Sequence, residues 1–202
     1  MRRTAVIGGA AAVTAAGAFV VEFGRVWRRG SAPMPAEADS VVEAAVEAGV
    51  ETTAVAVAGY QAAPTQENAL FNLFASFVIS LLASRGIAFA LRDRHRFGPF
   101  RNVRVGRRHI HHFVPGIALA FISGGIAIVS RDDHLEPRLA LVFGTGMGLT
   151  IDEAALLLEL DDVYWTEEGL LSAQIGFGLA GLLGALAIGL RFLRRGEESV
   201  LP

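Results

Sequence analysis

Among 202 residues there is no cysteine and no lysine, and charged residues make up only 19%. Without thiols the chain has no disulfide, thiolate metal site, Fe–S cluster or cysteine nucleophile. The absence of lysine excludes Schiff-base chemistry and the P-loop lysine. All 18 basic residues are therefore arginine, which with abundant Ala, Gly and Val fits the coding bias of a GC-rich prokaryotic genome. No enzyme template is complete: HExxH and the GxSxG elbow are absent, and Gly144-Thr145-Gly146-Met147-Gly148 lacks the strand, turn and helix context of a dinucleotide site.

What is present is apolar. Hydrophobic residues reach 52% and the mean hydropathy is +0.46, whereas a soluble domain carries about a quarter charged residues. A helix needs roughly 20 apolar residues to cross a hydrocarbon core of about 30 Å. Five runs approach that length: residues 4–23, 69–91, 113–129, 139–160 and 170–190. The expected fold is all-α, a polytopic transmembrane helical bundle of about five spans in the cell (cytoplasmic) membrane. Residues 1–23 form the first span, read as an uncleaved signal anchor although Ala16-Gly17-Ala18 offers a cleavage pattern. Residues 24–67 form an extramembrane acidic linker, 68–195 a four-span membrane domain, and 196–202 a tail.

The linker has three Arg and six acids, a net charge of −3. Glu43, Glu47 and Glu51 recur every four residues beside Val42, Val46 and Val50, which reads as a partial amphipathic helix. The β-branched stretch 52–58 is expected to end it. Residues 92–108 carry seven Arg and one Asp, a net of +6, and short arginine-rich loops stay in the cytoplasm. Their expected partner is anionic lipid headgroups rather than nucleic acid. Five spans counted from a cytoplasmic N-terminus satisfy this loop but put the basic C-terminal tail outside. Trp27, Tyr164 and Trp165 are candidate interface anchors.

A charge near the bilayer centre costs on the order of 3 kcal/mol on insertion scales, so Arg85, Asp152 and Glu153 require partners. At about 1.5 Å per residue, Arg85 and Asp152 lie at comparable depth. His109, His111 and His112 fall in the same leaflet, with Glu159 and Asp161 at the mouth of the fourth span. Imidazoles facing carboxylates have the ligand chemistry of a divalent metal, here with His109, His111, His112, Asp152, Glu159 and Asp161 as candidate ligands. A second reading makes Arg85, Asp152 and Glu153 a proton or ion pathway, in a transporter that five short spans would build as a homo-oligomer. A third is a structural polar cluster in a non-enzymatic membrane scaffold, Arg85 neutralising Asp152. Asp152 and Glu153 should point about 100° apart and serve different ends. Gly144, Gly148 and Asp152 fall on one stripe that should press against a neighbouring helix, and Gly176 with Ala180 and Gly181 with Ala185 repeat the small-residue spacing.

Across residues 109–165, the segments His-Ile-His-His-Phe-Val-Pro-Gly, Gly-Leu-Thr-Ile-Asp-Glu and Asp-Asp-Val-Tyr-Trp resemble an uncharacterised family of prokaryotic integral membrane proteins. That resemblance implies the membrane class and implies no mechanism.

Overall fold

The computed structural model describes residues 2–91, 96–97, 100–101, 104–105, 108–109, 112–130, 132–153 and 167–201. Six helices account for nearly all of them: α1 (Arg2–Arg29), α2 (Val41–Gln61), α3 (Thr65–Leu91), α4 (Phe113–Ser130), α5 (Glu136–Asp152) and α6 (Glu167–Val200). Between α3 and α4 lie two antiparallel two-residue ladders, β1 (Arg96–Phe97) with β2 (Phe100–Arg101) and β3 (Arg104–Val105) with β4 (Arg108–His109). The architecture is an all-α polytopic bundle, as the apolar runs require.

Four segments are long and apolar enough to cross a membrane: Gly8–Arg29, Thr65–Ala88, Phe113–Ser130 and Gln174–Val200. The exposed side chains of α4 are hydrocarbon, Phe121, Ile128 and Val129 being 79%, 80% and 81% exposed, an apolar surface of the kind that marks a membrane or protein contact. The 17-residue α5 packs chiefly on α3 and α4. Its glycines explain how. A Cβ on Gly144 would collide with Leu73 O and Ser76 Oγ, and one on Gly148 would stand 2.6 Å from Phe77 O. On the opposite face, a Cβ on Gly146 would stand 2.6 Å from Gly116 O and 2.7 Å from Ala120 N. Backbone therefore meets backbone on both sides of α5, the close approach that small residues permit. The expected stripe of Gly144, Gly148 and Asp152 does press on α3, where Ser76, Ser80 and Ser84 face it and donate to carbonyls of their own helix. On α6, Gly181 and Gly184 make room for Phe77 and Phe74 of α3, whereas Gly176 faces open space.

Contacts order the helix ends. Asn72 donates to Pro137 O and Arg85 reaches Asp152, so α3 and α5 run parallel. The α4 helix is antiparallel to α5, Gly124 lying opposite Phe143 and Gly116 opposite Thr150. The α6 helix is antiparallel to α3, and α1 runs parallel to α6, since Gly8 meets Ile175 and Glu22 meets Arg194. The end of α3, the start of α4 and the end of α5 thus share one end of the bundle with the start of α1. The end of α6 lies at the other.

The run expected as a span over 139–160 leaves the helix after Asp152, and two further details differ from the sequence expectation. The first is α2, which does not stop at Thr52 but continues to Gln61. Tertiary packing outweighs the modest β-branched penalty: Val55 is fully buried with Val26 and Leu193, and Gly59 lies directly on the Phe192 carbonyl of α6. Pro64 then separates α2 from α3, and Tyr60, Phe71 and Phe192 lock the junction with ring centroids 5.1–6.4 Å apart. The second is the supposed tail. The α6 helix carries Arg191, Arg194 and Arg195 within its own length, and at 34 residues it spans about 51 Å, more than a hydrocarbon core.

Candidate functional site: an arginine, histidine and carboxylate network

The end of α5 sets the geometry. Asp152 is its last helical residue rather than a mid-span residue, and Glu153 has left the helix with φ −107° and ψ 20°. The Asp152 side chain is 3% exposed, and its two oxygens serve two cations. Arg85 Nε of α3 stands 2.8 Å from Oδ1, and His112 Nε2, at the start of α4, stands 2.9 Å from Oδ2. Being off the helix, Glu153 is free of the 100° spacing and returns to the same imidazole, with His112 Nδ1 3.3 Å from Glu153 Oε2. The two acids converge on one imidazole instead of pointing about 100° apart, while Asp152 also takes Arg85 and Glu153 also accepts from Phe113 N.

The helix termini complete the network. Glu153 Oε2 accepts from Phe113 N, placing a carboxylate at the positive end of α4. The last carbonyls of α5 are satisfied from outside the helix. Gln174 Nε2 of α6 donates to Ile151 O at 3.0 Å and to Asp152 O at 2.8 Å, and Arg85 Nη2 donates to Asp152 O and to Gln174 Oε1. Four helices meet here, and Arg85, His112, Asp152 and Glu153 sum to zero when His112 is protonated. An imidazolium, protonated on both nitrogens, is the form of His112 that suits a carboxylate on each side. In agreement, the hydrogen bond to Asp152, aided by the charges of Glu153 and Asp152, holds His112 above the usual histidine value. His112 immediately precedes the α4 span.

Of the residues singled out in the sequence, Arg85, His112, Asp152 and Glu153 come together. His109 lies in β4, within hydrogen-bonded backbone. His111, Glu159, Asp161, Tyr164 and Trp165 lie outside the described residues. Among the described residues, no group of three His, Cys, Asp or Glu side chains is arranged to hold a metal ion. Trp27 donates from Nε1 to Pro33 O at 3.0 Å and packs edge-on against Phe23. Sequence reasoning missed Gln174, although it is the lone amide in the apolar run 170–190 and polar residues in such runs seek partners.

Fold and site together define a multi-pass α-helical membrane protein with a charged network at one end of its bundle. No family model, curated protein sequence or solved structure matches the chain.

Proposed function

We propose that this chain is a multi-pass protein of the cell membrane, with residues 92–108 cytoplasmic, in which the Arg85, Asp152, His112 and Glu153 network exchanges a proton during ion- or solute-coupled transport. One observation carries the reading: a single imidazole lies between two carboxylates, 2.9 Å from Asp152 and 3.3 Å from Glu153, and so joins the start of α4 to the end of α5. When His112 loses its proton, Asp152 keeps Arg85 and Glu153 keeps Phe113 N, but the network is left with one uncompensated negative charge and without the cation between its two acids. The joint between α4 and α5 then loosens, which is the coupling of charge to helix position that a transporter needs. Ionisable residues at membrane depth commonly mark such relays. Assembly as a homo-oligomer belongs to the same proposal, because the spans are few.

The experiment requires no substrate. Proteoliposomes on a solid support receive pH jumps between about 5 and 8, the range in which histidine titrates. Wild type is expected to give a transient displacement current that Asp152→Asn and His112→Gln abolish. No transient in wild type refutes the proposal. A divalent cation at this leaflet is the competing reading; it would displace the bond between His112 and Asp152 and rests chiefly on His109, His111, Glu159 and Asp161. Stoichiometric metal in protein purified without chelator, lost on replacing the three histidines by alanine, would favour it.

A further inference from the structure

At the opposite end of the bundle, α1, α3 and α6 are joined by carboxylates shared between arginines. Glu197 is 5% exposed and takes Arg25 and Arg29 at 2.6 and 2.9 Å. Glu22 takes Arg25 and Arg194, and Glu67 takes Arg191 and Arg195. Glu22 and Glu197 are enclosed and Glu67 is half-buried, but the guanidiniums are more open. Each offers five N–H donors, and the side chains of Arg29, Arg191 and Arg194 remain 63%, 66% and 67% exposed. Five arginines against three glutamates leave a net +2, unchanged when the exposed Arg28 and Glu198 are added. The outward face of this network is therefore cationic.

Its place along the bundle identifies what it meets. One to two turns earlier on α1, Phe19, Val20 and Val21 are 53%, 65% and 65% exposed, and the rings of Phe19, Phe23 and Trp27 follow one another toward the rim. A hydrocarbon band, then an indole, then guanidiniums is the sequence of surfaces at the edge of a bilayer. Farther out along the axis, α2 carries Glu43 and Glu47 with no basic residue between 30 and 84. A soluble anion approaching along the axis meets those carboxylates, whereas a headgroup reaches the rim sideways.

We propose that Arg29, Arg191 and Arg194 form a binding surface for the phosphate groups of anionic phospholipids. Guanidinium and phosphate make paired, charge-assisted hydrogen bonds. A lipid seated on this rim bridges α1 and α6 and strengthens their association. The inference rests on the spans alone and is independent of the proton network.

The test uses the full chain in detergent, titrated with short-chain phosphatidylglycerol, phosphatidylcholine or inorganic phosphate. The variant is R29Q/R191Q/R194Q, in which Glu197 and Glu22 keep Arg25 and Glu67 keeps Arg195, so each acid retains a partner. Helical content by circular dichroism is the check on folding, with Arg191→Gln alone as a milder variant. Wild type is expected to prefer phosphatidylglycerol over phosphatidylcholine, and the triple variant to bind it roughly 10-fold or more weakly, given the contribution of each arginine near an anionic surface. Equal affinity for both lipids in wild type overturns the proposal. So does a preference retained in the variant, which places lipid elsewhere, as does inorganic phosphate competing as well as the lipid.

Discussion

Gly148→Ala tests whether packing on α3 sets the site. The new Cβ would overlap Ser80 Oγ and stand 2.6 Å from Phe77 O and 3.1 Å from Leu81 N. The hydroxyl can turn away, but the two backbone atoms cannot. Ordinary contact begins near 3.4 Å, so α5 must retreat from α3 by close to 1 Å. Overpacking of this kind costs about 1–3 kcal/mol, and the better helix propensity of Ala recovers up to about 1 kcal/mol. A net loss of about 1–2 kcal/mol lowers the unfolding midpoint by about 2–8 °C for a chain of this size. The displacement lies one turn from Asp152, so the 2.8 Å contact with Arg85 should lengthen as well. Gly125→Ala is the control, because nothing lies within 4 Å of its Cβ position; it is expected to leave the midpoint unchanged or raise it. Thermal unfolding of both variants in one detergent decides the matter. Equal midpoints for wild type and Gly148→Ala would refute the argument that backbone contact fixes α5.

Further expectations follow from the same contacts. Glu197→Gln leaves Arg25 and Arg29 without their shared carboxylate, and because both arginines are partly solvated the cost is expected at about 1–2 kcal/mol rather than the 3–5 of a fully buried pair, read as a lower unfolding midpoint. Glu51 accepts from Ser31 N, Ala32 N and Ser31 Oγ, and these bonds, the Ser31 amide foremost, hold its carboxyl below the usual range. A depressed value contributes stability that is present above the ordinary carboxylate range and is lost as pH falls through the lowered value. Amide exchange at Ser31 and Ala32 should therefore rise on acidification and in Glu51→Gln at neutral pH, and unchanged exchange in that variant would disprove the link. Reporter fusions at residues 60 and 134 and at the C-terminus are expected on one side of the membrane, and a fusion at residue 100 on the other. A C-terminal fusion reporting with residue 100 would contradict the helix order.

Much of this was legible in the sequence because hydrocarbon thickness fixes span length, and a glycine stripe ending in an acid needs a neighbour. Arg85 and Asp152 met as their depths required. What could not be read depends on partners distant in the chain. The continuation of α2 past Thr52 is decided by Val55 and Gly59 lying on α6, which no local propensity records. The partners of the basic stretch 191–195 are equally remote: in the fold its arginines face Glu22 and Glu67, the former 172 residues from Arg194. Helix geometry turns Glu153 about 100° from Asp152, but the helix stops one residue before it. Gln174 carries no motif, and its role appears only once the ends of α5 and α3 are side by side.

The most direct test of the central claim is the titration of His112 itself, followed by NMR of histidine-labelled protein with His112→Gln to assign the signal. With its value raised in the fold, the bridge is complete below the ordinary histidine range and is lost as pH rises through the elevated value. The expected result is a His112 signal that titrates above the ordinary histidine range and moves down toward that range in Asp152→Asn. A His112 that titrates within the ordinary histidine range in wild type, and is indifferent to Asp152→Asn, would contradict the account.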